Sequence, residues 1–167
     1  MKKALFVIDM QNICVGENHA ECFQYETKTL LQNVNKVISE NNNQTVVYIK
    51  NVMKRNFINK FAPFKAYEGT KEVELVENLR MVSDHVYTKY VGDAFSNPEL
   101  KQFLKEQEIE CVELVGVDGG GCVALTAFGA VKNGYQVKIH QDAVGTVFHK
   151  KKKKYEKKLK KMGVEFL

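Results

Sequence analysis

Three residues far apart in the chain are of types that can do chemistry together. Cys122 follows three consecutive glycines in VGVDGGGCV, residues 115–123. An apolar run ends at Val117 and helical spacing begins a few residues later. The thiol is therefore expected in the first turn of a helix, where unpaired N–H groups and the macrodipole favour an anion. A free thiol titrates near 8.5, and lowering that value by about one or two, worth roughly 1.4 to 3 kcal/mol, makes an effective nucleophile at neutral pH. Glycines beside it would let a substrate carbonyl approach backbone N–H groups acting as an oxyanion hole. Asp9 and Lys89 close two other apolar runs. A carboxylate beside an ammonium stays ionised yet accepts a proton from a thiol, so the three could serve as base, charge partner and nucleophile. The plain alternative for Cys122 is a small buried hydrophobe.

Strand-length apolar runs recur at 4–8, 45–50, 85–89, 111–117, 135–139 and 164–167. Between them lie stretches of helical spacing. Leu30, Leu31, Val34, Val37 and Ile38 share one face, with Thr27 as a candidate N-cap. Asn97 and Pro98 open a helix burying Leu100, Phe103 and Leu104; Val123, Ala127, Ala130 and Val131 mark another, closed at Asn133 and Gly134. Alternating strands and helices, with several strands apolar throughout, predict an α/β fold. The expected form is a three-layer α/β/α sandwich around a central, mainly parallel sheet of about six strands. Ligands in such sheets bind beyond the carboxyl ends of the strands, where this chain offers Asp9, Lys50, Lys89, the 117–122 turn and 140–142. The connection 51–70 is long, basic and aromatic, as functional lids often are.

At 167 residues, with two prolines and no tryptophan, residues 1–167 are expected to form a single domain. The net charge of +5 is concentrated in 150–161, where nine lysines face one glutamate, leaving the remainder at −3. Such a local cluster reads as a solvated helix face, and nucleic acid is set aside as a partner. Cys14, Cys22, Cys111 and Cys122 show neither a CxxC pair nor zinc spacing with His19, His85, His140 or His149. Free thiols, no metal and no cofactor are expected. Asp9 interrupts the opening MKKALFVI, which reads as a first strand and not a secretion signal. No stretch is long enough to span a membrane, and a cytoplasmic location is expected.

VIDMQN (7–12), TKYVGDAF (88–95) and VGVDGGGCVALTAFGAVKNGYQV (115–137) together resemble the isochorismatase-like cysteine hydrolase superfamily of nicotinamidases, N-carbamoylsarcosine amidohydrolases and isochorismatases. The similarity runs over nearly the whole chain. It implies a catalytic triad of Asp9, Lys89 and Cys122, a non-proline cis peptide at Val117-Asp118, and an oxyanion hole from the backbone amides of Asp118 and Cys122. It further implies hydrolysis of a small non-peptide amide or related C–N bond through a thioester, and a homodimer or homotetramer. Two departures stand out. Asp118-Gly119-Gly120-Gly121 replaces the usual small residue, Thr/Ser and Asp before the cysteine, and NVMKRNFINKFAPF lacks the Asp and His ligands of metal-dependent nicotinamidases. Gln11, Phe57, Phe61 and Phe95 are candidates to contact the small-molecule substrate, with Lys54 or Arg55 available for a carboxylate.

Two other classes compete. GGGCVA (119–124) satisfies G-x-G-x-x-A with Asp142 downstream, a dinucleotide fingerprint, although it arises at the fourth strand with little chain left for a second nucleotide half. A catalytically silent scaffold displaying the lysine helix is the other.

Overall fold

A computed structural model describes residues 1–54 and 65–167. Six strands, β1 (Lys3–Ile8), β2 (Thr45–Asn51), β3 (Val86–Lys89), β4 (Cys111–Val117), β5 (Gln136–Gly145) and β6 (Glu165–Phe166), form one sheet in the order β3-β2-β1-β4-β5-β6. Every pairing is parallel, as the continuous apolar runs predict. Side chains of β1 alternate between two cores. Ala4, Phe6 and Ile8 join Leu100, Leu104, Val123, Ala127 and Leu159 from α3 (Pro98–Glu106), α4 (Cys122–Lys132) and α5 (His149–Lys161) on one face. Leu5 and Val7 join Leu30, Val34 and Ile38 of α2 (Thr27–Glu40) on the other, where the short α1 (Asn12–Val15) also packs. The three-layer α/β/α sandwich follows.

Capping chemistry fixes several boundaries. The Asn97 side chain accepts the Leu100 N–H at 3.1 Å with Pro98 just behind it, and α4 stops before Gly134 at φ +87°. Thr27 is not a cap: it is the first residue of α2, and Glu26 precedes it without a side-chain capping bond. β5 runs six residues beyond the predicted end, because three extra residues enter between its Leu114 and Gly116 pairings with β4 and keep the strand in register afterwards. The lysines of α5 lie along a mostly exposed surface while Leu159 anchors the helix, as a solvated charged face should. No helix among the described residues is long and apolar enough to cross a membrane.

The strand order reverses between β1 and β4, so the crevice beyond their carboxyl ends is the natural place for a ligand. Gly116 makes that crevice close-fitting. It has φ +111°, and a Cβ there would lie 2.0 Å from the Ile8 carbonyl oxygen, so only glycine lets β4 run this near to β1.

Candidate active site

Asp9, Lys89 and Cys122 meet at this crevice. Asp9 follows β1 directly, in a left-handed conformation (φ +53°) that costs a non-glycine residue about 1 kcal/mol or more. Lys89 ends β3, two strand spacings from β1, or about 10 Å, and its long stem bridges much of that distance. Its Nζ lies 2.9 Å from Asp9 Oδ2 and 3.2 Å from Cys122 Sγ. Both charged residues are buried, Asp9 at 3% and Lys89 at 1% exposure, and Cys122 is half-buried at the first position of α4.

The electrostatics differ from the sequence-based expectation. Burial, and next the adjacent Asp9 carboxylate, push the Cys122 thiol up to about 12, outweighing the opposing pull of Lys89. The resting sulfur is therefore protonated, and the expected depressed thiol is corrected: desolvation defeats the helix terminus. Burial likewise raises Asp9 above its ordinary value although Lys89 works against it. Burial alone would lower Lys89, but Asp9 and Cys122 together raise it. The ammonium is thus fixed, and one proton is left for the carboxylate and the sulfur to share. Asp9 Oδ1 is buried without a partner, an acceptor held ready.

The 117–122 turn is built on Asp118. The Val117-Asp118 peptide is cis. Asp118 Oδ1 accepts the N–H of Gly120 at 2.9 Å and of Val147 at 3.0 Å, and the Asp118 carbonyl accepts from Gly121 and Val123. Gly119 N–H donates to the Gly145 carbonyl at 2.9 Å. Among the described residues the N–H groups of Asp118 and Cys122 donate to nothing within the chain. Gly119 and Gly120 serve the chain's own packing. A Cβ on Gly120 would stand 2.2 Å from the Phe148 carbonyl oxygen, and one on Gly119 would stand 2.7 Å from the Thr146 hydroxyl. The dinucleotide reading fails for the same reason: all three glycine N–H groups are already bonded and the start of α5 covers the turn.

A cavity of about 160 Å³ opens at this corner, and Asp9, Asp118 and Cys122 line it together with apolar Phe23, Val147 and Phe148. Of the predicted substrate contacts, Gln11 borders the cavity but is a strut. Its amide donates to the Asn51 and Val73 carbonyls at 3.1 and 2.7 Å and accepts the Asn51 N–H at 2.9 Å. Phe95 is corrected outright: it is buried in the core, with its ring 5.9 Å from Phe6 and 5.4 Å from Tyr135. Lys54 lies over the Tyr90 ring at 5.0 Å and does not border the cavity. Arg55, Phe57 and Phe61 lie outside the described residues. Cys14, within α1, and Cys22, in the irregular turn after it, also line the cavity, which no spacing rule could signal. Phe23, Val147 and Phe148 were missed for a like reason: loop residues carry no periodicity. Among the described residues no three His, Cys, Asp or Glu side chains come together as metal ligands.

The fold has known counterparts. The Isochorismatase domain family profile matches residues 3–167. An uncharacterized isochorismatase family protein of Bacillus subtilis (strain 168) is 27% identical over 149 residues, which span 87% of this chain and 79% of that protein. The crystal structure of a Bacillus subtilis nicotinamidase/pyrazinamidase is 26% identical with a TM-score of 0.84, each chain covered to 99%. N-carbamoylsarcosine amidase from Thermoplasma acidophilum, 24% identical, shares the fold at a TM-score of 0.83 over 99% of this chain and 95% of its own. The chain belongs to the isochorismatase family and is an enzyme of the isochorismatase-like hydrolase type.

Proposed function

We propose that the enzyme hydrolyses a small non-peptide amide, or a related C–N bond, through a thioester on Cys122. The observation that carries this reading is the single buried Lys89 ammonium within hydrogen-bond reach of both Asp9 and Cys122, which line one cavity. Likeness to a nicotinamidase supports amide chemistry.

The steps follow from the charges. Asp9 takes the Cys122 proton as Sγ attacks the carbonyl carbon, so the thiolate need never accumulate in the free enzyme. The C=O electron pair moves onto oxygen, and the oxyanion is met by the N–H groups of Asp118 and Cys122, which donate to nothing among the described residues. The C=O re-forms, the C–N bond breaks, and Asp9 returns its proton to the departing ammonia or amine. Water then attacks the thioester while Asp9 takes one of its protons; the C–S bond breaks and the sulfur recovers that proton. Lys89 stays charged throughout and compensates whichever neighbour is anionic. No metal or cofactor takes part in any step.

The test is ammonia release from a panel of primary amides, ureides and N-carbamoyl compounds. Wild-type protein is expected to turn over members that Cys122→Ala does not, a loss of about a thousandfold or more. Hydrolysis that survives the substitution removes the proposal. The same reading carries the expectation of two or four copies assembled in the cytoplasm, for which light scattering on purified protein gives the copy number.

A further inference from the structure

We infer that Asp118 makes this cavity selective for amides that carry a positive charge, repelling those that carry a carboxylate. The inference rests on the hydrolase reading of the same cavity and adds the charge of the substrate. Asp118 is a buried carboxylate on the cavity wall. Its Oδ1 is held by the Gly120 and Val147 N–H groups, while its Oδ2 is buried without a partner. Among the described residues no Lys, Arg or His forms an ion pair with it. Lys89 is committed to Asp9, and Lys152 packs its stem beside Gly119 in a separate cavity behind the turn. Asp9 and Lys89 cancel, so Asp118 leaves the wall with one uncompensated negative charge.

Catalysis then adds a second. The oxyanion would form against the Asp118 N–H itself, within a few ångströms of that carboxylate. A neutral amide meets this repulsion in full, and an amide bearing a carboxylate adds a third negative charge. A cationic group in the body of the substrate offsets both. Nothing else on the described wall would discriminate by charge.

The test uses three amides of matched length, γ-aminobutyramide (cationic), pentanamide (neutral) and succinamate (anionic). Each is titrated by calorimetry against the Cys122→Ala protein, which cannot turn them over. The cationic amide is expected to bind about tenfold tighter than the neutral one, with the anionic one weakest. Adding Asp118→Asn, which keeps the Oδ1 acceptor, should bring the three within about threefold of one another. Equal affinities before that substitution, no binding by the cationic amide, or an order that survives Asp118→Asn overturns the inference; the first two are read even if the double variant does not fold. Ammonia release by wild-type protein separates the two claims. Charge-ordered binding without release keeps the inference and removes the hydrolase reading, and release without charge order does the reverse.

Discussion

Two buried carboxylates sit on adjacent strands of this sheet, each with a lysine at 2.9 Å, and they shift in opposite directions. Glu113, within β4, is lowered: Lys3 donates to one of its oxygens and His140 lies 2.7 Å from the other, and together they overcome the cost of burial. Asp9, at the end of β1, is raised: burial outweighs a lysine that engages only Oδ2, while Oδ1 has no partner. A short ion-pair distance therefore does not say what a carboxylate is for. In this pair, satisfying both oxygens lowers a buried carboxyl, whereas leaving one bare lets burial raise it.

Removing the lysine from each pair should break the symmetry most sharply. Lys89→Met leaves Asp9 buried with no cation, which is expected to cost about 3 kcal/mol of stability and at least about a thousandfold in kcat/KM. Lys3→Met leaves Glu113 with His140, and the Lys3 side chain is already a third exposed. That substitution should cost no more than about 1 kcal/mol and leave kcat/KM within about twofold. Urea unfolding and steady-state rates on both variants check this. Comparable losses from the two would mean that both clusters do the same job.

A smaller effect sharpens the role of Asp9. Its carboxylate is, after burial, the main reason the Cys122 thiol stands so high, while Lys89 pulls the other way. In Asp9→Asn the thiol should fall, since only burial then opposes Lys89, and it should react with iodoacetamide about tenfold faster at pH 7 than in the wild type. Amide hydrolysis should nevertheless collapse, because nothing then returns a proton to the leaving amine. Mass spectrometry of labelled Cys122 against pH reads the first half and ammonia release the second. A thiol that slows on losing Asp9 would show that the carboxylate activates the resting sulfur instead of suppressing it.

Much of this was legible in the chain. Apolar runs located all six strands, most clearly β1, β2 and β4, which are buried on both faces and therefore apolar almost throughout. The strand-end rule offered Asp9, Lys50, Lys89, the 117–122 turn and 140–142, and the structure brings Asp9, Lys89 and Cys122 of these together. What failed depended on distances that no spacing encodes. The charge state of Cys122 follows from how dry the corner is, and that is set by Phe23, Val147 and Phe148 arriving from loops. Phe95 was misread because an aromatic residue just after a strand end can face the site or the core, and the stacking against Phe6 decides it. The glycine run suggested an open turn, yet Gly119 and Gly120 pack closely against the segment that leads into α5.

The least dramatic consequence is one of sign along the pH axis. A carboxyl lowered in the folded state, as Glu113 is, contributes stability above its unfolded value near 4.3, and that contribution is lost as pH falls through the lowered folded value. A carboxyl raised in the folded state, as Asp9 is, contributes in the reverse sense: its share is complete below the unfolded value and lost as pH rises through the folded one. Glu113→Gln should therefore lower stability by about 1 kcal/mol at pH 7 and by almost nothing at pH 2.5. Its unfolding free energy should fall less steeply on acidification than that of the wild type. Urea titrations across that range measure both slopes, and a variant that falls more steeply than the wild type would place Glu113 in the same class as Asp9, leaving the two carboxylates electrostatically alike.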